Sequence, residues 1–282
     1  MSIIEEAVRK TAERYHRPAP PEQPAGGGRP RLRRVPPAAT ETANVRRFQP
    51  VTLDRAVLDD NNILPQITDP GALRGYKVLR TRLLRRLEAN QWRSFAVTGA
   101  SPGDGKTLTS INLAMALAQD PNTWVFLVDL DLHRPKVASY LGLNNSLGER
   151  GLSDFLLGDA TVEQITYSPA GMDRLAIIPN FQTVANASEL LTSPRMDELV
   201  QALEAETPRR VVIFDMPPVL ASDDVLAFSP QVDGMLLVIA EGLTSRDALK
   251  SAKALLQEMN LLGVVLNRSE AQDEGAYYSY AR

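Results

Sequence analysis

Short, nearly continuous apolar runs recur along this chain, over residues 95–97, 124–130, 175–178, 211–214, 235–240 and 263–266. Runs of that length without polar alternation predict strands covered on both faces. Stretches of helical period separate most of them. Ile111, Leu113, Ala114 and Leu117 mark a helix after the first strand. Residues 194–206, with Ser193 as cap and Pro194 in the first position, mark another, and residues 246–259 a third. Ahead of the first strand, Leu73, Tyr76, Leu79, Leu83 and Leu87 line one face of a helix over 72–87. Alternating strands and helices predict an α/β fold, a doubly wound, mostly parallel sheet with helices on both faces.

Upstream the pattern dissolves. Ser2-Ile3-Ile4-Glu5 has capping-box spacing, which predicts a short helix within 1–17. Between Pro18 and Pro37 lie seven prolines and the Gly26-Gly27-Gly28 run, so 18–50 reads as a disordered linker. Residues 51–69 read as a connecting segment, one helical turn and a covering loop. The expected main domain is 70–268, followed by a flexible tail, 269–282.

Composition changes this picture little. The 282 residues are 44% hydrophobic and 23% charged, with a net charge of −3. That suits a soluble globular domain and carries no global basicity to suggest nucleic acid. Residues 1–50 do hold ten Lys/Arg against five Glu, a basic arm on a slightly acidic protein. There is no cysteine, so disulfides and thiolate metal sites are excluded, in keeping with a reducing compartment. No apolar run approaches the ~20 residues that span a bilayer. The opening MSIIEEAVRK is broken by charges and does not read as a signal peptide. On the 72–87 helix, Arg74, Lys77, Arg80, Arg82, Arg85 and Arg86 leave the non-apolar face strongly basic. A solvated face is the ordinary reading, and a carboxylate-rich partner the sharper one.

Chemistry enters between the first strand and its helix. Gly99, Ser101, Pro102, Gly103, Asp104, Gly105, Lys106, Thr107 and Leu108 form a small-residue loop at the mouth of a helix. Glycines there let backbone N–H groups turn inward, and the helix start adds positive potential. Lys106 can reach outer phosphates and Thr107 can ligate Mg²⁺. The strict G-x-x-x-x-G-K-[ST] pattern is not met, because Ala100 stands five residues before Gly105. Two further strand ends carry acids, Asp129 with Asp131 and, before Met216-Pro217-Pro218, Asp215. Residues at i and i+2 of a strand share a face, so Asp129 and Asp131 are expected together at the carboxyl rim. Clustered acids need a cation, and Mg²⁺ carrying ATP supplies it. Thr107, Asp131 and Asp215 are the expected metal-binding residues.

These residues resemble the bacterial tyrosine kinases of capsule and exopolysaccharide export, P-loop proteins related to MinD-like division and partition ATPases. The likeness covers about residues 70–282. It rests on segments 99–107, 125–135 and 211–218, the Asp-x-Pro-Pro element being the most discriminating. Weaker echoes are Gly151-Leu152-Ser153-Asp154, the 189–195 segment ELLTSPR, and Gly263-Val264-Val265-Leu266-Asn267. The division ATPases carry a lysine where this chain has Ser101, which favours the kinase branch. The resemblance implies ATP and Mg²⁺ as cofactors. It implies Lys106, Asp129, Asp131 and Asp215 as the catalytic set, with Asp129 orienting or deprotonating the incoming phenol, and Asn267 at the adenine. Three of the seven tyrosines, Tyr277, Tyr278 and Tyr280, fall in the last six residues and match its autophosphorylation cluster.

Further implications are a ring-like homo-oligomer, a transmembrane polysaccharide co-polymerase or chain-length protein as activator, and a cognate tyrosine phosphatase. The place implied is cytoplasmic, at the inner face of the cell membrane through that partner. Two departures stand out. His133 occupies a family arginine position, and Arg74, Lys77 and Arg80 replace a Glu-x-x-Arg-x-x-Arg self-association pattern. A nucleotide-switched ATPase and a kinase-inactive, ATP-holding regulator of the same export machinery are the alternative readings.

Overall fold

β-branched and aromatic residues fit a pleated surface that is buried on both sides, and each expected run is a strand in the computed structural model. The structure describes residues 48–143, 149–205 and 209–269. In chain order the strands are β1 (Gln49–Val51), β2 (Ser94–Gly99), β3 (Trp124–Asp129), β4 (Tyr167–Pro169), β5 (Leu175–Ile178), β6 (Arg210–Asp215), β7 (Gly234–Ala240) and β8 (Leu261–Asn267). They form one sheet in the order β1-β4-β5-β3-β6-β2-β7-β8. All neighbours pair in parallel except β4 with β5.

The doubly wound arrangement can be read residue by residue. Phe95, Val97, Leu127, Ile213, Leu236 and Val238 belong to one core cluster. Their neighbours Ala96, Phe126, Phe214, Leu237 and Ile239 belong to the other. Continuous apolar strands therefore feed two cores, one on each face.

The helices are α1 (Arg55–Asp60), α2 (Pro70–Asn90), α3 (Lys106–Leu117), α4 (Val137–Tyr140), α5 (Leu152–Leu156), α6 (Val162–Ile165), α7 (Ala187–Leu191), α8 (Pro194–Ala205), α9 (Asp224–Phe228) and α10 (Arg246–Leu255). α2 begins two residues before its expected start. The Asp69 side chain accepts the Ala72 N–H at 2.6 Å, and Pro70 suits the first turn. α10 stops at Leu255, short of Met259, where the chain passes into turns.

The 48–69 stretch is more than a covering loop. β1 pairs with β4 at the sheet edge, and Leu58, Ile63, Leu64 and Ile67 are buried. Asn112, fully buried on α3, fixes this stretch. Its Oδ1 accepts Leu64 N–H and its Nδ2 donates to the Asn62 carbonyl. Residues 1–47, including the expected first helix and nearly all of the linker, lie outside the described residues, as do Tyr277, Tyr278 and Tyr280. Among the described residues no helix is long and apolar enough to cross a membrane.

Candidate active site

The carboxyl ends of β2, β3 and β6 lie side by side, with Asp129 paired in register to Asp215 and Val97 to Asp215. β2 is followed by a crossover that passes β6 to reach β3, the kind of switch point where open α/β sheets bind ligands. The loop leaving β2 enters α3 through Gly103 (φ 90°) and Gly105 (φ 89°), both in the left-handed region.

Two distant elements hold that loop, the turn after β7 and the end of β8. Asp104, completely buried, accepts the Ser101 N–H at 2.7 Å on one oxygen and the Thr244 hydroxyl at 2.7 Å on the other. Thr244 in turn accepts the Ala240 N–H. From the end of β8, Asn267 Nδ2 donates to the Asp104 carbonyl at 3.0 Å, and Arg268 donates to that of Gly103 at 3.1 Å. β8 therefore ends against the loop, as the parallel sheet requires. Asn267 acts here as a strut, with Oδ1 also accepting the Arg268 N–H. Pro102 and Gly103 are exposed, and Leu108 packs into the α3-side core.

One lysine and three carboxylates meet beneath the loop. Lys106 Nζ lies 2.8 Å from Asp131 Oδ2 and 3.4 Å from Thr107 Oγ1. β3 stops at Asp129, so Asp131 reaches the lysine from the following turn and not from the shared strand face expected. The turn is tied by Asp131 N–H donating to Asp129 Oδ1 and Arg134 N–H donating to Asp131 Oδ1. Asp129 Oδ2 accepts the N–H groups of Lys136 and Val137 at the start of α4. Asp215 Oδ1 accepts the Ser110 hydroxyl at 2.9 Å, while Oδ2 is buried with no hydrogen-bond partner. The Pro217-Pro218 segment is pinned to β2 by Thr98 Oγ1 donating to the Pro217 carbonyl and Val219 N–H to that of Gly99.

Charge is unevenly settled here. Burial, followed by Asp215, pushes Asp129 well above the usual carboxylate range, against the pull of the Val137 amide. Asp215 is also raised, chiefly by burial, although Lys106, Thr107 and Ser110 act downward. Burial lowers Lys106, but Asp215, Asp131 and Asp129 together outweigh it and the net shift is upward. A raised carboxylate adds stability that is complete below its unfolded pKa and lost as pH rises through the folded one. Asp215→Asn should therefore stabilise the nucleotide-free protein near pH 8. The gain should be about 1.4 kcal/mol per unit of displacement and fade toward pH 4. Thermal melts across that range check it, and an Asn variant less stable at pH 8 would contradict it.

The orphaned Asp215 oxygen fits a cation. Among the described residues no three His, Cys, Asp or Glu side chains are grouped as a cage. A metal here would take Thr107 and one or two carboxylates and draw its other ligands from water and phosphate, the habit of Mg²⁺. Asp131 has both oxygens engaged already.

Sequence reading missed Ser110 and Thr244. Ser110 had a signal, since it stands one helical turn after Lys106. Thr244 had none, lying 140 positions from Asp104. His133 places Nε2 3.2 Å from Asp224, a fully buried carboxylate of α9 that also accepts the Ser188 and Ser222 hydroxyls. Gly151 and Asp154 form a tight loop, in which a Cβ on Gly151 would come within 3.0 Å of Phe181 and the Pro179 carbonyl. Arg195 lies over the Phe155 ring at 4.4 Å, which ties α8 to α5.

A family model for the CobQ/CobB/MinD/ParA nucleotide binding domain matches residues 95–280. The tyrosine-protein kinase YwqD of Bacillus subtilis is 33% identical over 218 residues, which cover 76% of this chain and 89% of that protein. The tyrosine-protein kinase etk of Escherichia coli is 32% identical over 200 residues, covering 70% of this chain but 26% of that protein. The solved kinase domain of Escherichia coli ETK has a TM-score of 0.64 at 28% identity, covering 79% of this chain and 84% of that domain. This chain thus spans most of the Bacillus relative and about a quarter of the longer Escherichia one.

Proposed function

This chain belongs to the CobQ/CobB/MinD/ParA nucleotide-binding family, among the bacterial tyrosine-protein kinases, and on that footing we propose that it is an ATP-dependent protein-tyrosine autokinase. It transfers the γ-phosphoryl group of ATP to tyrosines of its own C-terminal cluster, Tyr277, Tyr278 and Tyr280. The observation that carries this reading is the meeting of Lys106 with Asp129, Asp131 and Asp215 under a glycine loop at the strand ends.

Phosphoryl transfer is mostly positioning and charge stabilisation. Lys106 and the loop N–H groups hold the phosphates, and Lys106 exchanges its Asp131 partner for phosphate oxygens. Bound Mg²⁺ supplies neutralisation of phosphate charge. Thr107, Asp131 and the open oxygen of Asp215 would be the groups to hold it, directly or through water. Asp129 receives the phenolic proton. Its upward displacement brings its basicity closer to what a proton acceptor near neutral pH needs. Its three backbone donors keep the carboxylate from rotating away. Asn267 stands beside the loop where a base can rest.

Around the reaction the proposed setting is capsule or exopolysaccharide export. The activator is the cytoplasmic end of a membrane-spanning chain-length protein, the protein works as a homo-oligomer at the inner membrane face, and a tyrosine phosphatase reverses the modification. Incubation of the pure protein with Mg-ATP, followed by intact mass measurement, tests the core of this. Added phosphates that vanish in Lys106→Met and in the Tyr277/Tyr278/Tyr280→Phe variant are expected. Free phosphate release without mass gain would make the protein a switch ATPase instead. Tight ATP binding with neither, even with the activator's cytoplasmic tail present, would make it a kinase-inactive regulator.

A further inference from the structure

The six cations of α2 divide into two sets. Arg80 donates to the Ala116 carbonyl and Gln119, and Arg86 to the Leu262 carbonyl, so both serve packing. Arg74, Lys77, Arg82 and Arg85 are exposed. The ion pairs among the described residues are Lys106–Asp131, His133–Asp224, Arg195–Glu198 and Lys250–Asp247, and none includes these four. Arg74, Val78, Thr81 and Arg85 follow helical spacing along one ridge, with Lys77 and Arg82 on its flanks. From Arg74 to Arg85 the ridge runs about 16 Å. Val78, 42% exposed, sits in its middle. The only acid of the helix is Glu88, at its far end, although the whole chain is net −3. Four like charges on three turns repel each other and destabilise the helix that carries them.

We infer that this ridge is a docking surface for the anionic headgroups of a lipid bilayer. A second copy offering the same face would add to the repulsion. A helix ridge is convex, so it can rest on a plane but cannot enclose an acidic peptide. Phosphate headgroups move laterally to meet guanidinium groups, which bind phosphate by two parallel hydrogen bonds. Val78 adds a small apolar contact at the same level. The inference uses neither Lys106 nor the three aspartates and stands whether or not the chain phosphorylates tyrosine.

The test is co-sedimentation of the full chain with vesicles of phosphatidylglycerol and phosphatidylcholine, roughly three to seven, in ~0.1 M salt. Binding is expected there, with none to phosphatidylcholine alone and release in ~0.5 M salt. Each basic residue at such a surface is worth about fivefold in partition, so Arg74→Glu with Arg85→Glu should lower it by at least tenfold. An unchanged far-UV spectrum would show that the variant folds. Failure to sediment with the anionic vesicles would overturn the inference. So would binding undiminished in the double variant, which would assign it to the basic N-terminal arm. Capture by a polyglutamate peptide without capture by vesicles would also overturn it and make the ridge a protein-binding surface.

Discussion

Lys106→Met should lower phosphoryl transfer on the order of a thousandfold, because it removes the cation that meets the three aspartates from a reaction run on charge. It should also change the protein without nucleotide. Lys106 and Asp131 are 12% and 6% exposed at the side chain, and their pair is the inner salt link of the site. Breaking a buried pair by deleting one partner costs about 3–5 kcal/mol, because the other charge is left without compensation. Here the neighbours can take up protons. Asp129 and Asp215, already displaced upward, will titrate still higher once the lysine is gone. The deficit should therefore be largest near pH 8 and shrink toward pH 5, since stability tied to a raised carboxylate is lost as pH rises. Urea titrations of both proteins at the two pH values measure this. A deficit that does not depend on pH would mean the three aspartates are not coupled through Lys106.

Gly105→Ala should cost about 2–3 kcal/mol and most of the nucleotide affinity. Two causes add. At φ 89° an L side chain is strained, and the new Cβ would lie 2.0 Å from Asn267 Nδ2. To admit the methyl group, Asn267 must swing away and release the Asp104 carbonyl, which unlocks the loop from β8. In an Asn267→Ala background the clash is absent and only the backbone strain remains. The cost of Gly105→Ala should then fall by about 1 kcal/mol or more, a non-additivity of the size that contacting residues show. Equal costs in both backgrounds would show that the strut between Asn267 and the loop carries no energy.

Much of the architecture could be read from local pattern. Apolar runs ending in acids gave β3 and β6, and Ser193-Pro194 gave the start of α8. The short strands gave no such signal. β1 and β4 are three residues each, and Tyr167-Ser168-Pro169 holds a proline and a serine. They are strands because an edge of the sheet is there to pair with. The pairing of His133 with Asp224 was equally hidden, since it joins the turn after β3 to a helix some ninety positions later.

By itself the sequence determined the six apolar strands, where the glycine loop turns, and that three acids and a lysine stand at or just beyond strand or helix ends. Each of these depends on residues within a few positions of one another. Only the tertiary structure decided how the charges are partnered. It set Lys106 on Asp131, Ser110 on one oxygen of Asp215 with the other left open, and Thr244 and Asn267 as struts of the loop. It also tied two arginines of α2 to backbone carbonyls and left four cations exposed. Those outcomes depend on contacts between positions as much as 176 residues apart, and no periodicity or spacing along a chain encodes which distant partner a side chain will meet.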